Sequence, residues 1–97
     1  MAVARIYRMT CAPGRREELR GALEALAGVL REIEGLQSVS VLRDVEQPDD
    51  FVFVEKWASL QVQKRGGNLL PKQAFARVMA ALADKPHGRS FEYVLET

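Results

Sequence analysis

Hydrophobic and polar residues alternate along the first segment of the chain and then change to a helical spacing. From Val3 to Thr10 the pattern has a period of two, which is typical of a β-strand. Over Arg15–Glu34 the apolar residues instead recur every three or four positions and predict one helix with a single apolar face, formed by Leu19, Leu23, Leu26, Leu30 and Ile33. Gly35 follows the last of them and predicts the end of this helix.

The rest of the chain predicts three further strands and two shorter helices. Ser59 can cap the first of these helices, which Gly66 and Gly67 are expected to interrupt. The elements expected in order are strands at Leu36–Val45 and Phe51–Trp57, a helix from Ser59 to Arg65, a helix with Pro71 in its first turn, a loop at Asp84–Gly88 and a strand at Ser90–Glu96.

The resulting order, β-α-β-β-α-β, predicts one ferredoxin-like α+β domain over residues 1–97, an antiparallel sheet with both helices on one face. Its third strand carries large apolar residues on both faces, with Phe51, Phe53 and Trp57 on one and Val52 and Val54 on the other. Two helices leave one face bare, and a bare apolar face usually marks an interaction surface. We therefore expect a homodimer that packs sheet against sheet, with a ligand cavity beneath the helices or near the interface.

Composition excludes several classes of protein. With 14 Lys and Arg against 13 Asp and Glu the formal net charge is +1, without the basic excess of a nucleic-acid binder. No apolar run approaches the ~18–20 residues of a membrane span, and the N-terminal segment has no signal-peptide pattern. Cys11 is the single cysteine, so no internal disulfide can form, and a cytoplasmic location is expected.

Four stretches of this sequence resemble the antibiotic biosynthesis monooxygenase family, whose members are dimeric α+β barrels of about this length. The matching stretches are Pro13–Leu19, Glu34–Leu36, Val41–Asp44 and, closest of all, Pro48–Trp57. The resemblance covers nearly the whole chain, and Trp57 is its one distinctive site residue.

The resemblance implies a small dimer that oxidises or binds a compact aromatic or quinol-type molecule. In the family's cofactor-free oxygenases a deprotonated phenolic substrate gives an electron directly to oxygen, so no cofactor or metal is expected. A second branch degrades haem with an Asn, a Trp and a ligating His. The alternative is a non-catalytic dimeric ligand-binding or accessory protein on the same scaffold, because function depends on the site and not on the fold.

Trp57 matches the family's strand-end Trp that borders the ligand cavity, although a large aromatic residue is also a common core anchor. Family members commonly carry a His nine or ten residues later, where this chain has Gly66 and Gly67. The usual iron ligand and proton acceptor are therefore missing. Asn68 follows and either orients a ligand or ends a helix, while Glu55 is either a buried base or the cross-strand partner of an Arg.

Two tyrosines on neighbouring strands, Tyr7 and Tyr93, are further candidates for ligand binding. Arginines that could neutralise an anionic ligand are Arg5, Arg8 and Arg43, and Arg43 is the one retained with the tyrosines as a candidate. The alternative is that the rings belong to the core and the arginines extend to water.

The sequence assigns no catalytic residue, because it contains neither paired carboxylates nor a nucleophile with an evident base. His87 and Cys11 are too few and too far apart in sequence for a metal site, so none is expected. His87 is expected in a solvated loop. Cys11 is expected to be unreactive, unless nearby arginines activate its thiol.

Overall fold

Four strands and three helices make up the computed structural model, which describes residues 1–97. The strands are β1 (Val3–Thr10), β2 (Leu36–Arg43), β3 (Asp50–Trp57) and β4 (His87–Glu92), and the helices are α1 (Arg16–Leu30), α2 (Leu60–Gly67) and α3 (Lys72–Ala80). No helix combines the length and the apolar character needed to cross a membrane.

The strands form one antiparallel sheet in the order β2-β3-β1-β4, with β1 and β3 in the middle. This is the ferredoxin-like arrangement, and it confirms the fold class predicted from the order of the elements. Along the central pair, Val3 lies opposite Trp57 and Thr10 lies opposite Asp50. Trp57 therefore sits at the end of the sheet where β1 begins.

One face of the sheet carries the core. Along β3 the residues Phe51, Phe53, Glu55 and Trp57 are buried and the residues between them only partly so, because successive strand side chains point to opposite faces. The leucines of the predicted α1 stripe are all buried in the same core. Each fully buried leucine stabilises the fold by about 1.5–3 kcal/mol, so this stripe fixes α1 on the sheet.

The opposite face of the sheet, here called the open face, has no helix on it. The strand registers place five large apolar side chains there: Ile6, Leu42, Val52, Val54 and Phe91. Leu42 is 54% exposed and Phe91 is 48% exposed. The sheet is thus covered on one face only.

Helix α1 ends at Leu30, four residues before the predicted end at Glu34. Beyond Leu30 the chain forms a tighter turn, in which the Ile33 N–H donates to the Leu30 carbonyl at 2.9 Å. Gly35 then adopts a positive φ of 95° and reverses the chain. Ile33 still packs against the core, so the apolar spacing extends past the end of the α-helix.

Strand β4 begins at His87 and ends at Glu92, whereas the alternating pattern predicted Ser90–Glu96. The partner strand explains the shift, because β1 starts at Val3 and Val3 is already opposite Glu92. Residues after Glu92 have no strand beside them, and the end of the predicted loop joins β4 instead. Strand β2 likewise ends at Arg43 and not at Val45.

Helix α2 continues through the two glycines that were expected to interrupt it. A Cβ added at Gly66 would lie 2.6 Å from Cη2 of Trp57 and 3.1 Å from Cγ2 of Ile33. Gly66 is therefore required for the close approach of α2 to the Trp57 ring, and the helix tolerates its propensity cost.

Candidate functional site

Polar side chains gather on the helix-facing side of the sheet, beside the apolar core. Strand β1 contributes Arg5 and Tyr7, β3 contributes Glu55, β4 contributes Ser90 and α2 contributes Gln63. We call these five residues the polar cluster. Glu55 is buried, Arg5, Tyr7 and Gln63 are half-buried, and Ser90 is exposed. Because a buried polar group is costly unless it is hydrogen-bonded, the cluster around Glu55 is the candidate site.

A chain of hydrogen bonds links two strands, β1 and β4, with α2. The Arg5 guanidinium donates through Nε to the Tyr7 hydroxyl and through Nη1 to Oγ of Ser90, each at 3.2 Å. Ser90 in turn donates to Oε1 of Gln63 at 3.2 Å. The guanidinium carbon also lies 5.0 Å from the centre of the Tyr7 ring, within cation–π range. Tyr7 accepts from Arg5, so its own proton is free for a ligand.

Glu55 is the one buried charged residue of the chain and is 4% exposed. Its Oε1 accepts a hydrogen bond from Nε1 of Trp57 at 2.8 Å, and Arg5 lies directly opposite on β1 without forming an ion pair. Burial raises the pKa of the Glu55 carboxyl above its ordinary value, although the Trp57 hydrogen bond and the charge of Arg5 act to lower it. A carboxylate held in this way is a stronger base than an exposed one.

The second carboxylate oxygen of Glu55 remains available. Trp57 occupies Oε1, and no hydrogen bond in the structure reaches Oε2. Since every side-chain oxygen or nitrogen that is completely sealed from solvent has a partner, Oε2 retains some contact with solvent. Glu55 therefore combines a fixed orientation with one oxygen that can accept a proton.

A surface cavity lies beside Ser90, the exposed residue of the polar cluster. This residue lines a surface cavity of about 440 Å³ between the start of α2 and the ends of β1 and β4, together with Val3, Ser59 and Leu60. Cavities of this size accommodate compact organic ligands. Ser90 is the one residue of the polar cluster that lines this cavity, so a molecule bound there would contact Ser90 and, through it, the hydrogen-bonded chain to Arg5 and Tyr7.

Trp57 lies at the inner end of the site, and its ring is packed on all sides. It is 1% exposed, and Gly66 of α2 packs closely against it. The ring lines none of the main cavities, although Gly66 and Ile33 themselves line one of about 530 Å³. In this structure Trp57 acts as a core anchor that orients Glu55.

The remaining sequence candidates lie away from the polar cluster. Asn68 is exposed at the C-terminal end of α2. Tyr93 follows β4 and lies against the open face, where Nζ of Lys56 is 4.8 Å from its ring centre. Arg43 pairs with Phe51 at the far end of β3, six residues and about 20 Å from the Trp57 position. The structure thus places Tyr7 and Trp57 at the polar cluster and the other three away from it.

Two members of the cluster, Ser90 and Gln63, were not among the sequence candidates. Ser90 lies opposite Arg5 through the register of β1 and β4, which the local pattern does not determine. Gln63 sits on a helix whose orientation depends on the contact between Gly66 and Trp57. The sequence did indicate that Arg5 is unusual, since it is the one charged residue on an otherwise apolar face of β1.

Cys11 and His87 lie outside the cluster. Burial and the nearby Asp49 carboxylate raise the pKa of the Cys11 thiol, and its Sγ donates to the Ala12 carbonyl at 3.2 Å. This thiol is therefore not activated by Arg15 and Arg16. No three His, Cys, Asp or Glu side chains lie close enough together to hold a metal ion.

The sheet, the helices on one face and the polar cluster between them define a small ferredoxin-like protein with a candidate site beneath its helices. The chain belongs to the antibiotic biosynthesis monooxygenase family, whose sequence model matches residues 2–65. The resemblance noted in the sequence is thereby confirmed. No curated protein matches the sequence.

Solved structures of other proteins share the fold over almost their whole length. Rv0793 from Mycobacterium tuberculosis is 21% identical over 99% of this chain and 98% of its own, with a TM-score of 0.85. SnoaB, a cofactor-independent oxygenase from Streptomyces nogalater, is 15% identical over 98% and 95%, with a TM-score of 0.86. PA3566 from Pseudomonas aeruginosa is 23% identical over 97% and 95%, with a TM-score of 0.80. At these identities the similarity shows the fold alone.

Proposed function

We propose that this chain is a cofactor-independent monooxygenase that oxidises a small phenolic or quinol-type aromatic molecule in its polar cluster. The observation that carries the proposal is the buried Glu55, which is oriented by Trp57 and keeps one oxygen free. Membership of the family and the fold shared with SnoaB support the class of reaction. Of the residues predicted from the sequence, the proposal uses Tyr7 and Trp57 and leaves out Asn68, Tyr93 and Arg43.

Glu55 supplies the proton acceptor that the family's missing His would otherwise provide. Its carboxylate takes the phenolic proton, and the hydroxyl of Tyr7, held by Arg5, donates to the resulting phenolate oxygen. The phenolate passes one electron to O₂, and the two radicals combine at a ring carbon. The resulting peroxide takes back the proton held by Glu55, and loss of water from this hydroperoxide gives the quinone and leaves Glu55 as the carboxylate. One phenol and one O₂ thus give one quinone and one H₂O. The phenol loses four electrons, and each oxygen atom of O₂ gains two of them.

Oxygen uptake with 1-naphthol as the probe tests this proposal directly. We expect the purified protein, without added metal or flavin, to consume one O₂ for each 1,4-naphthoquinone formed. The matched control is 1-methoxynaphthalene, which has the same ring system but no phenolic proton, and it should not be oxidised. The proposal fails if 1-naphthol binds to the protein but O₂ uptake remains at the rate of buffer alone.

The second candidate function is a non-catalytic ligand-binding or accessory protein, and the closed packing around Trp57 favours it. With Gly66 packed against the ring and only 1% of the residue exposed, no cavity opens at the Trp that borders the ligand site in the family. This candidate predicts saturable binding of 1-naphthol and of its methyl ether alike, with no O₂ uptake from either. The naphthol assay therefore separates the two functions.

We also propose that the chain forms a homodimer through the open face. The support is physical: five large apolar side chains lie on a sheet face that no helix covers. Burying apolar surface stabilises a complex by roughly 25 cal/mol per Å² before the costs of association. Val54 is at the centre of this face, between Ile6 on β1 and Ser40 on β2.

Val54→Lys is expected to convert the dimer into a monomer, because an unpaired ammonium buried between two sheets costs several kcal/mol. Sedimentation at micromolar concentration measures the change. Val45→Lys is the matched control, since Val45 is 94% exposed in the hairpin after β2, and this variant should remain dimeric. A monomeric wild-type protein, or a dimeric Val54→Lys variant, would contradict the proposed interface.

A further inference from the structure

Gly88 lies directly opposite Tyr7 in the pairing of β4 with β1, on the helix-facing side of the sheet. Glycine inside a strand weakens it and often marks a place where another group approaches the backbone closely. Only Gly14 and Gly35 have a positive φ, so the backbone at position 88 does not itself require glycine. What glycine provides here is the absence of a side chain.

Tyr7 and Arg5 occupy the space that a side chain at position 88 would fill. A Cβ added to Gly88 would lie 2.6 Å from Cε1 and 2.7 Å from Cδ1 of Tyr7, and 2.9 Å from Nη2 of Arg5. Carbon atoms in contact are about 3.5–4.0 Å apart, so one edge of the Tyr7 ring would have to move. Gly88 therefore allows the ring and the guanidinium group to lie against the backbone of β4.

The Tyr7 ring has two further neighbours. Phe53 lies directly opposite Tyr7 on β3, and the centres of the two rings are 6.5 Å apart. Phe53 is 1% exposed and belongs to the core, while the Arg5 guanidinium carbon lies 5.0 Å from the centre of the Tyr7 ring. A ring displaced from Gly88 is pushed against these neighbours, and its hydroxyl moves with it because the phenol is rigid.

The position of the ring determines which group the Tyr7 hydroxyl contacts. The hydroxyl accepts a hydrogen bond from Nε of Arg5 at 3.2 Å, whereas the hydrogen bond that Glu55 accepts comes from Trp57. Tyr7 and Glu55 are therefore not bonded to each other. A phenol can then give its proton to Glu55 and accept a hydrogen bond from Tyr7, which would be prevented if the hydroxyl and the carboxylate were already paired.

We propose that Gly88 is a positioning residue of the site: by leaving this space free, it sets the position from which the Tyr7 hydroxyl donates to the phenolate. Gly88 does not touch the substrate and acts through Tyr7 and Arg5. Ser90, the next helix-facing residue of β4, acts on the same pair, because its Oγ accepts a hydrogen bond from Nη1 of Arg5 at 3.2 Å. The inference rests on the proposed function, in which Tyr7 is the donor, and adds a residue that the sequence candidates did not include.

Gly88→Ala is expected to lower kcat for O₂ uptake with 1-naphthol by about tenfold and to change KM by less than about twofold, because a hydrogen bond to the phenolate strengthens as charge develops on the oxygen. In a Tyr7→Phe background the same substitution should lower kcat no further, because the hydroxyl is already absent. The unfolding midpoint in urea should fall equally in both backgrounds, since the ring is present in each. If the role of Gly88 were only structural, kcat would fall by the same factor in both backgrounds.

Gly28→Ala is the matched control for this substitution. Gly28 is exposed in α1, its φ is not positive and nothing lies within 4 Å of its Cβ position, so this variant should keep the wild-type kcat. Wild-type kcat in Gly88→Ala, or an equal loss of kcat in both backgrounds, would overturn the proposal.

The Nε–H resonance of Arg5 tests the position of Tyr7 without any turnover. Because this group donates to the Tyr7 hydroxyl, its exchange with water should be at least about tenfold slower than that of Arg31, which is exposed just after α1 and forms no ion pair. We expect Gly88→Ala to remove this protection and Gly28→Ala to retain it. Retained protection in Gly88→Ala would contradict the inference whether or not 1-naphthol is oxidised. O₂ uptake at the buffer rate by the wild type would instead contradict the proposed function, and the exchange rates would still decide whether Gly88 positions Tyr7.

Discussion

Glu55→Gln is expected to lower the rate of O₂ uptake with 1-naphthol by about 10²–10⁴-fold, the usual contribution of a positioned general base. The amide of glutamine occupies the same volume but cannot accept the phenolic proton. In the wild type the rate should fall on the acid side as Glu55 becomes protonated, at a pH above the ordinary glutamate range because burial raises the pKa of this carboxyl. The variant should lack this acid limb. A variant that retains the wild-type rate and pH profile would remove Glu55 from the mechanism.

The same variant provides its own control for folding. Oε1 of glutamine can still accept the hydrogen bond from Nε1 of Trp57, so the core contact is preserved. In the wild type the raised pKa means that folding disfavours the charged carboxylate. This penalty is absent below the ordinary pKa near 4.5 and complete once the pH exceeds the raised pKa of the folded state. The stability of Glu55→Gln relative to the wild type should therefore increase from pH 4 to pH 8, as measured by urea unfolding.

The elements with strong local patterns were predicted closely from the sequence. The spacing of four leucines identified the buried face of α1, and alternation identified β1 and β3 to within one residue. The predicted ends of elements were wrong where a neighbouring strand or side chain determines where the element ends. Strand β4 ends at Glu92 because β1, its partner, begins at Val3. Gly66 lies within α2 because the Trp57 ring fills the space that a side chain at this position would need. Neither partner is visible in the local pattern.

The candidate site was harder to predict than the fold, because it depends on which side chains share a face after pairing. Tyr7 and Tyr93 were expected together on neighbouring strands, but Tyr7 faces the helices and Tyr93 faces Lys56 on the open face. Arg5 and Glu55 are cross-strand neighbours through the register of β1 and β3. A register is set by many contacts along both strands, so no single motif in the sequence could place this pair.

Gly66→Ala is expected to be less stable than Gly67→Ala by about 1–3 kcal/mol, the typical cost of overpacking a core. The added methyl group at Gly66 would lie 2.6 Å from a ring atom of Trp57, whereas nothing lies within 4 Å of the same position at Gly67. Both residues end α2 with a negative φ. Both variants therefore gain the same helix propensity, up to ~1 kcal/mol, and their difference isolates the contact with the ring.

Trp57 is the only tryptophan of the chain, so its fluorescence during urea unfolding measures both variants without a label. If the ring is a fixed anchor, Gly66→Ala should lower the unfolding midpoint and Gly67→Ala should raise it slightly. Equal stability of the two variants would show that the ring moves aside at little cost. In that case a cavity could open at Trp57, and Glu55, which depends on the indole N–H for its orientation, would lose its fixed position as the base.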